Sequence, residues 1–287
     1  MRPLLSDAAR RLADAGVESA RVDAELLLAH VLGTTRGGLV TQDDVAAPAA
    51  ERFAGLVEQR ADRVPLQHLT GRAPFRLLEL AVGPGVFVPR PETEQLTGWV
   101  LDQLAGRTAP VVVDLGSGSG AIALSVAHEH PGARVTAVER DPDAIAWTRH
   151  NAATRTAAGD IPVGVVEGDM TDPHLLADLD GAVDVVVSNP PYVPDGAVLP
   201  REVADHDPPL ALWGGPDGLD VVRGMLDVAA RLLRPTGLLG IEHADQQGGS
   251  LPAVVRAHGG FGDVADHPDL AGRPRFTTAA RRVGRGA

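Results

Sequence analysis

Four stretches carry residue types from which chemistry can be built: VVVDLGSGSG (111–120), RVTAVE (134–139), GDM (168–170) and SNPPYV (188–193). In the last, Pro190 and Pro191 donate no backbone N–H and fix their own φ, and Asn189 before them is pushed towards extended geometry. Asn189 offers a side-chain carbonyl and Pro190 a backbone carbonyl, and two converging acceptors can hold both hydrogens of one NH2 group. Tyr192 adds a flat ring against which a planar group can lie. In a carboxamide or an aromatic amine the nitrogen lone pair is delocalised and poorly nucleophilic. Acceptors can draw the hydrogens out of plane, and preorganised dipoles favour the positive charge that develops when the nitrogen attacks. The plainer reading is a rigid proline turn in which Asn189 satisfies local backbone donors.

VVVDLGSGSG ends a buried strand in Gly116, Gly118 and Gly120, interleaved with Ser117 and Ser119. Such glycines permit a tight turn and close approach of a ligand, although alone they also fit a packed strand-to-helix turn. There is no GxxxxGK[ST] lysine, and Ala121 stands in the last place of a GxGxxG pattern, whose relaxed form permits alanine. Asp114 at the mouth would oppose a pyrophosphate; a carboxylate there suits a ligand bearing an ammonium group. Glu139 closes the next strand, about twenty residues on, where a carboxylate can accept both ribose hydroxyls. A solvent-facing helix cap is the alternative, the role that Asp141 before Pro142 invites. Asp169 and Met170 can border an adenine ring, or Asp169 can cap its own loop.

These stretches need elements to position them. Residues 1–72 read as a helical domain, with Gly33 and Gly71 as stops and Pro65 opening a short new element. Nothing in these helices looks catalytic; taken alone they suit a small bundle, a binding module or a lid. Residues 73–90 read as a β-hairpin joint, with LLELAV and VFV flanking Gly83-Pro84-Gly85. PETEQLTGWVLDQLAG then reads as a helix with acids in its first turn. Over 91–287, continuous apolar strands alternate with amphipathic helices, the pattern of an α/β, doubly wound, mostly parallel sheet covered on both faces. The tail FGDVADHPDLAGRPRFTTAARR lacks a clear helix and suits an antiparallel edge hairpin.

The composition narrows the function. The chain has 287 residues, 44% hydrophobic, enough to bury a sizeable core. It has no cysteine, which excludes disulfides, thiolate metal sites and a cysteine nucleophile. His128 and His130, the closest histidine pair, are spaced wrongly for one helical face and read as solvated residues at a helix end; no metal is expected. A net charge of −12, from 26 basic and 38 acidic residues, argues against gripping duplex DNA or long RNA. The start MRPLLSDAARRLADAG lacks the apolar core of a signal peptide, and no apolar run is long enough for a membrane helix, so a cytoplasmic setting is expected.

The ordered set DLGSGSG, AVE, GDM and SNPPY resembles the class I S-adenosylmethionine-dependent methyltransferases. It implies a seven-stranded Rossmann-like sheet and binding of the donor by Asp114, Gly116, Ser117, Gly118, Ser119, Gly120, Glu139, Asp169, Met170 and Asn189, with S-adenosyl-L-homocysteine as product. NPPY is similar to the motif of members that methylate planar NH2 groups, adenine and glutamine alike. It implies that Asn189, Pro190 and Tyr192 carry the chemistry, with Pro191 in the substrate site.

Across nearly its whole length the chain resembles the peptide chain release factor glutamine methyltransferases. The resemblance rests on PLQHLTG (65–71), FVPRPETE (87–94), VVDLGSGSGAIALSVA, SNPPYV and REVADHDPPLALWGGPDGLDVVR. It implies as substrate the glutamine of the GGQ loop in class I release factors, met by the joint and cleft rim, where Arg90, Glu92 and Glu94 stand, with the helical domain 1–72 binding the substrate partner. Those acids equally stabilise a helix start, and Arg90 can pair with one of them. A sister family methylates a glutamine on a large-subunit ribosomal protein; RPETE resembles the release-factor branch rather than the sister's RSPIAEL. WGGPDGLD reads as a structural turn. IEHADQQG departs from the family's E-x-G pattern, with Ala244 in the expected glycine's place after His243, and Glu242 is assigned no chemistry. A monomer is expected, and adenine methylation of DNA and a noncatalytic donor-binding scaffold stand as alternatives.

Overall fold

Apolar residues at helical spacing make the first seventy positions helical, and runs of valine make the rest a sheet. The computed structural model describes residues 1–42 and 44–282; residues 283–287 of the expected C-terminal domain lie outside the described residues. Four helices come first: α1 (Arg2–Asp14), α2 (Ala20–Leu32), α3 (Ala47–Ala61) and α4 (Leu66–Thr70). A hairpin of β1 (Arg72–Phe75) and β2 (Leu78–Ala81) leads to α5 (Thr93–Leu104) and β3 (Val111–Leu115). Next come α6 (Ala121–Glu129), β4 (Arg134–Glu139), α7 (Pro142–Ala157), β5 (Gly164–Glu167) and β6 (Val183–Ser188). Two short helices, α8 (Arg201–His206) and α9 (Pro209–Leu212), precede α10 (Asp220–Leu232) and β7 (Leu233–Glu242). The chain closes with α11 (Ser250–His258), β8 (Phe261–Pro268) and β9 (Pro274–Arg281). Among the described residues no helix is long and apolar enough to cross a membrane.

The chain divides into two units. The first comprises Met1–Arg72, Val82–Pro84 and Leu199–Asp207. Leu5, Leu12, Leu27, Leu28, Phe53 and Val57 form its core. Gly33 and Gly71 end α2 and α4 in the left-handed region, at φ 63° and 72°, where a glycine carries no Cβ penalty. Segment 199–207, distant in sequence, joins through a buried charge cluster. Arg60 Nε donates to Asp23 Oδ2 at 2.7 Å and Arg60 Nη1 to Glu202 Oε2 at 2.8 Å. The side chains of Arg60 and Asp23 are 7% and 5% exposed, so neither charge has water to fall back on.

The second unit holds the remaining residues. Its seven-stranded sheet has the order β5-β4-β3-β6-β7-β9-β8, parallel from β5 to β7 and antiparallel across β9 and β8. Val111, Val113 and Leu115 of β3 pack with Val222, Leu226 and Leu251 from α10 and α11. Val112 faces the opposite layer of Leu96, Val100, Ile122 and Val126 from α5 and α6. That alternation is the two-residue period of a strand buried on both faces. The strand order reverses between β3 and β6, so the loops after these two strands flank the crevice at the switch point.

Two local readings change. The hairpin turns at Arg76 and Leu77, not at Gly83-Pro84-Gly85. Pro84 has no N–H to give a ladder, and Val86 and Val88 are apolar because they are buried outside any strand. The two histidines at the end of α6 are tied down: His128 Nδ1 lies 2.9 Å from Asp160 Oδ1 and His130 Nε2 3.2 Å from the Leu104 carbonyl.

Breaking a buried ion pair on one side strands the other charge. Asp23→Ala is therefore expected to destabilise the first unit by about 3–5 kcal/mol in urea unfolding. Arg10→Ala, which removes the exposed pair with Asp7, is expected to change it by no more than ~1 kcal/mol. Equal effects would contradict the assignment of Arg60 as an anchor.

Candidate active site

The site begins where β3 ends. Gly116, Gly118 and Gly120 all take positive φ, at 78°, 56° and 86°. The N–H groups of Gly116 and Ser117 both donate to the Val138 carbonyl at 2.9 Å, folding the loop onto the end of β4. A Cβ at Gly116 would stand 2.6 Å from Met170 Cε and 3.9 Å from the Asn189 carbonyl oxygen. One backbone position thus brings together the glycine loop, the turn after β5 and the start of NPPY. Ser117 and Ser119 are buried; Thr148 donates to the Gly118 carbonyl at 2.6 Å and Asn151 to that of Ser119 at 3.0 Å, which pins the loop from α7.

Asp114 is fully buried beneath this loop. Its Oδ2 accepts the Ala123 N–H at 3.1 Å, whereas Oδ1 has no partner. Burial pushes its carboxyl up to about 7, against the Ala123 hydrogen bond and with a further push from the charge of Glu139. A buried carboxylate with an orphaned oxygen favours a cationic donor. The ammonium of an amino-acid moiety fits that need.

Glu139 is held in another way. Its Oε2 accepts the Gly118 N–H at 2.9 Å, and Oε1 accepts the N–H groups of Arg140 at 2.8 Å and Asp141 at 3.0 Å. An ionised carboxylate has about four lone-pair sites, so this one is oriented by the backbone and can still accept a hydroxyl. Asp141 caps α7 by accepting the Asp143 N–H at 2.9 Å. Asp169 Oδ1 accepts from both the N–H and the hydroxyl of Thr171, and Arg140 reaches its Oδ2 at 3.2 Å. It caps its own turn while Met170, buried, lies against Gly116.

On the far side of the crevice, Ser188 Oγ donates to the Leu115 carbonyl at 2.6 Å and ties the end of β6 to the end of β3. The NPPYV segment is backed by the WGGPDGLD turn. Val193 N–H donates to Leu212, Gly214 N–H to Val193, and Gln247 Nε2 to the Tyr192 carbonyl at 3.1 Å. A Cβ at Gly218 would sit 2.2 Å from that same carbonyl, so the backbone must be bare there. Burial, with the Glu242 charge behind it, pushes the Tyr192 phenol well up, so the side chain is a neutral ring and not a base.

Arg90 and Glu92 act electrostatically on Tyr192, and Arg90 lies over the Phe87 ring at 4.7 Å. Glu94 is turned elsewhere: its Oε1 accepts the Arg76 N–H at 3.1 Å and serves the β1–β2 turn. Two further residues enter that sequence reasoning missed. Thr93, 4% exposed at the start of α5, accepts a hydrogen bond from Asn189 Nδ2 at 3.3 Å. Glu242, fully buried at the end of β7, bonds to the Thr93 side chain. The signal for Glu242 was its place in the ladder: Ile241 is the register partner of Ser188, so Glu242 stands level with Asn189.

Residues 3–71 match the PrmC N-terminal domain family, and residues 78–205 the methyltransferase small domain family. The release factor glutamine methyltransferase of Mycolicibacterium smegmatis is 50% identical over 281 residues, 98% of each chain. That of Streptomyces coelicolor is 50% identical over 283 residues, 97% of each chain. Among solved structures, a T. thermophilus 16S rRNA methyltransferase in complex with AdoMet and guanosine aligns at TM-score 0.52 and 21% identity. It covers 74% of this chain and 50% of its own, a likeness of fold. With half its residues identical to those enzymes from end to end, the chain belongs to the release factor glutamine methyltransferase family.

Proposed function

We propose that the protein transfers a methyl group from S-adenosyl-L-methionine to the side-chain amide nitrogen of the glutamine in the GGQ loop of class I release factors. The observation that carries this reading is the meeting, at one switch point, of an orphaned buried carboxylate and an NH2-accepting corner, through Gly116. When bound, S-adenosyl-L-methionine supplies an electrophilic methyl group on a sulfonium. Asp114 Oδ1 takes the ammonium, and Glu139, oriented by three backbone N–H groups, takes the ribose hydroxyls. Ser117, Gly118, Ser119 and Gly120 leave room beside them, and Met170 with Asp169 borders the adenine.

Asn189 Oδ1 and the Pro190 carbonyl accept the two amide hydrogens, and the Tyr192 ring lies against the amide plane, with Pro191 in the same substrate site. As the nitrogen turns cationic, these fixed dipoles stabilise it without reorganising. The proton leaves only after the new N–C bond has formed, so no strong base is needed beforehand. Arg90 and Glu92 meet the release factor at the rim. Glu94 supports that rim through the hairpin turn. The helical unit helps hold the partner, the enzyme acts as a monomer, and duplex DNA is not a substrate.

Transfer of labelled methyl to a purified cognate release factor, with mass spectrometry to locate it, tests this. One methyl group on the GGQ glutamine, absent when that glutamine is alanine, is expected. No transfer by folded, donor-bound enzyme would overturn the reading, and transfer to a ribosomal protein or to adenine in DNA would redirect it.

The Asp114 environment sets a pH dependence. Binding an ammonium requires the ionised carboxylate, so below about 7 a proton must leave first. Donor affinity is expected to rise on the order of tenfold between about pH 5.5 and about pH 7.5 in calorimetric titration. Asp114→Asn is expected to weaken binding and flatten that rise. A carboxyl whose folded pKa is raised contributes stability below its unfolded value and loses it as pH rises through the folded one. The ligand-free Asp114→Asn protein is therefore expected to melt above wild type at about pH 8. A variant with unchanged affinity and slope would show that Asp114 does not meet the ammonium.

A further inference from the structure

Glu242 takes no part in the chemistry above, yet it is one of the most enclosed charged side chains of the second unit, at 1% exposure. One of its oxygens has no partner, and its side chain bonds to that of Thr93. Thr93 Oγ1 in turn accepts from Asn189 Nδ2 at 3.3 Å. A hydroxyl has a single hydrogen. An ionised carboxylate can only accept, so Thr93 must give that hydrogen to Glu242. Its oxygen is then left only as an acceptor, and it draws the NH2 end of Asn189 towards itself. The Oδ1 end is thereby turned away from Thr93. The two ends of a carboxamide have nearly the same shape, and only a hydrogen-bond network of defined polarity distinguishes them.

We propose that Glu242, acting through Thr93, is a positioning residue that fixes which end of the Asn189 carboxamide faces the substrate amide. The inference rests on the reading of Asn189 as an acceptor for the substrate NH2. A flipped Asn189 would set donors against donors and turn the positive end of its dipole towards a nitrogen that is becoming cationic. Removing one preorganised group of this kind costs on the order of 10²–10³-fold in turnover.

The charge state of Glu242 is part of the device. Burial pushes its carboxyl up to about 7, against the Thr93 hydrogen bond and the positive charges of Arg275 on β9 and Arg90 before α5. Glu92 adds to the upward push, and the neutral Tyr192 phenol faces the same group. Once protonated, Glu242 can donate to Thr93, whose hydrogen is then free for Asn189 Oδ1. That donated hydrogen then holds Asn189 in the flipped orientation in place of the productive one. Turnover at saturating donor, where Asp114 is already held ionised by the ammonium, is expected to fall as pH drops through about 7.

The test compares wild type, Thr93→Val, Thr93→Ser and Glu242→Gln in transfer to the release factor, with donor affinity and melting temperature measured in parallel. Wild-type transfer to the GGQ glutamine separates the two readings: if wild type fails, the functional reading falls, whatever the variants do. Given wild-type turnover, Thr93→Val and Glu242→Gln are expected to lose about 10- to 1000-fold in kcat, with donor affinity and release-factor KM within about threefold. Thr93→Ser, which keeps the hydroxyl, is expected to stay within about threefold of wild type. Glu242→Gln is also expected to lack the acid limb of the kcat profile. Wild-type kcat in folded Thr93→Val, equal losses in Thr93→Ser and Thr93→Val, or an unchanged acid limb in Glu242→Gln would each overturn the proposal. If Glu242→Gln does not fold, the Thr93 pair decides alone.

Discussion

The parallel ladder about β3 is the constraint on which the site depends. Leu115 pairs with Val138 on one side and Ser188 on the other, so three strands run out at one level. The Ser188 hydroxyl locks the second pairing onto the Leu115 carbonyl. Every group with chemical promise then emerges at one edge: Asp114 just inside it, Glu139 at it, Asn189 and Glu242 one step beyond Ser188 and Ile241. A slip of one residue in any pair would shift a strand end by about 3.3 Å and turn its side chains to the opposite face. The valines of β3 and β6 hold the register because both faces are buried, against α5 and α6 on one side and α10 and α11 on the other.

At that edge, the surroundings give the acids different tasks. Asp114 and Glu242 are both fully buried, and burial lifts each carboxyl to about 7. Each keeps one oxygen without a partner. The second oxygen differs: Asp114 accepts a fixed backbone N–H, whereas Glu242 faces a hydroxyl that can pass polarity onward. Glu139 accepts three backbone N–H groups and is an oriented acceptor. Tyr192, beside Glu242, is kept neutral by the same burial that lifts the acids. Donor binding, ribose recognition and amide orientation can therefore be divided among side chains of similar chemistry, according to what each already touches.

Much of this was legible in the sequence because it is local. Glycines at strand ends, an acid after an apolar run, Asn-Pro-Pro, the stops at Gly33 and Gly71 and the cap at Asp141 all announce themselves within a few residues. What escaped depends on distant partners. Thr93 stands between two glutamates and reads as an ordinary helix start, and only folding puts it between Asn189 and Glu242. Arg60 looks like one more arginine on α3 until Asp23 and Glu202 close on it. The sequence places Glu94 at the rim but does not show that it also accepts the Arg76 N–H of the hairpin turn. The Gly83-Pro84-Gly85 run looked like the turn of the hairpin, but Arg76 makes that turn with a positive φ of 50°.

The central claim is that binding of the donor and acceptance of the substrate amide are carried by different strand ends. The most direct measurement is single-turnover methyl transfer by Asn189→Ala, with donor affinity determined on the same protein. Donor affinity within about threefold of wild type, with transfer slowed by about 10²–10³-fold, is the result this division requires. Transfer at the wild-type rate, or a loss fully explained by weaker donor binding, would contradict it.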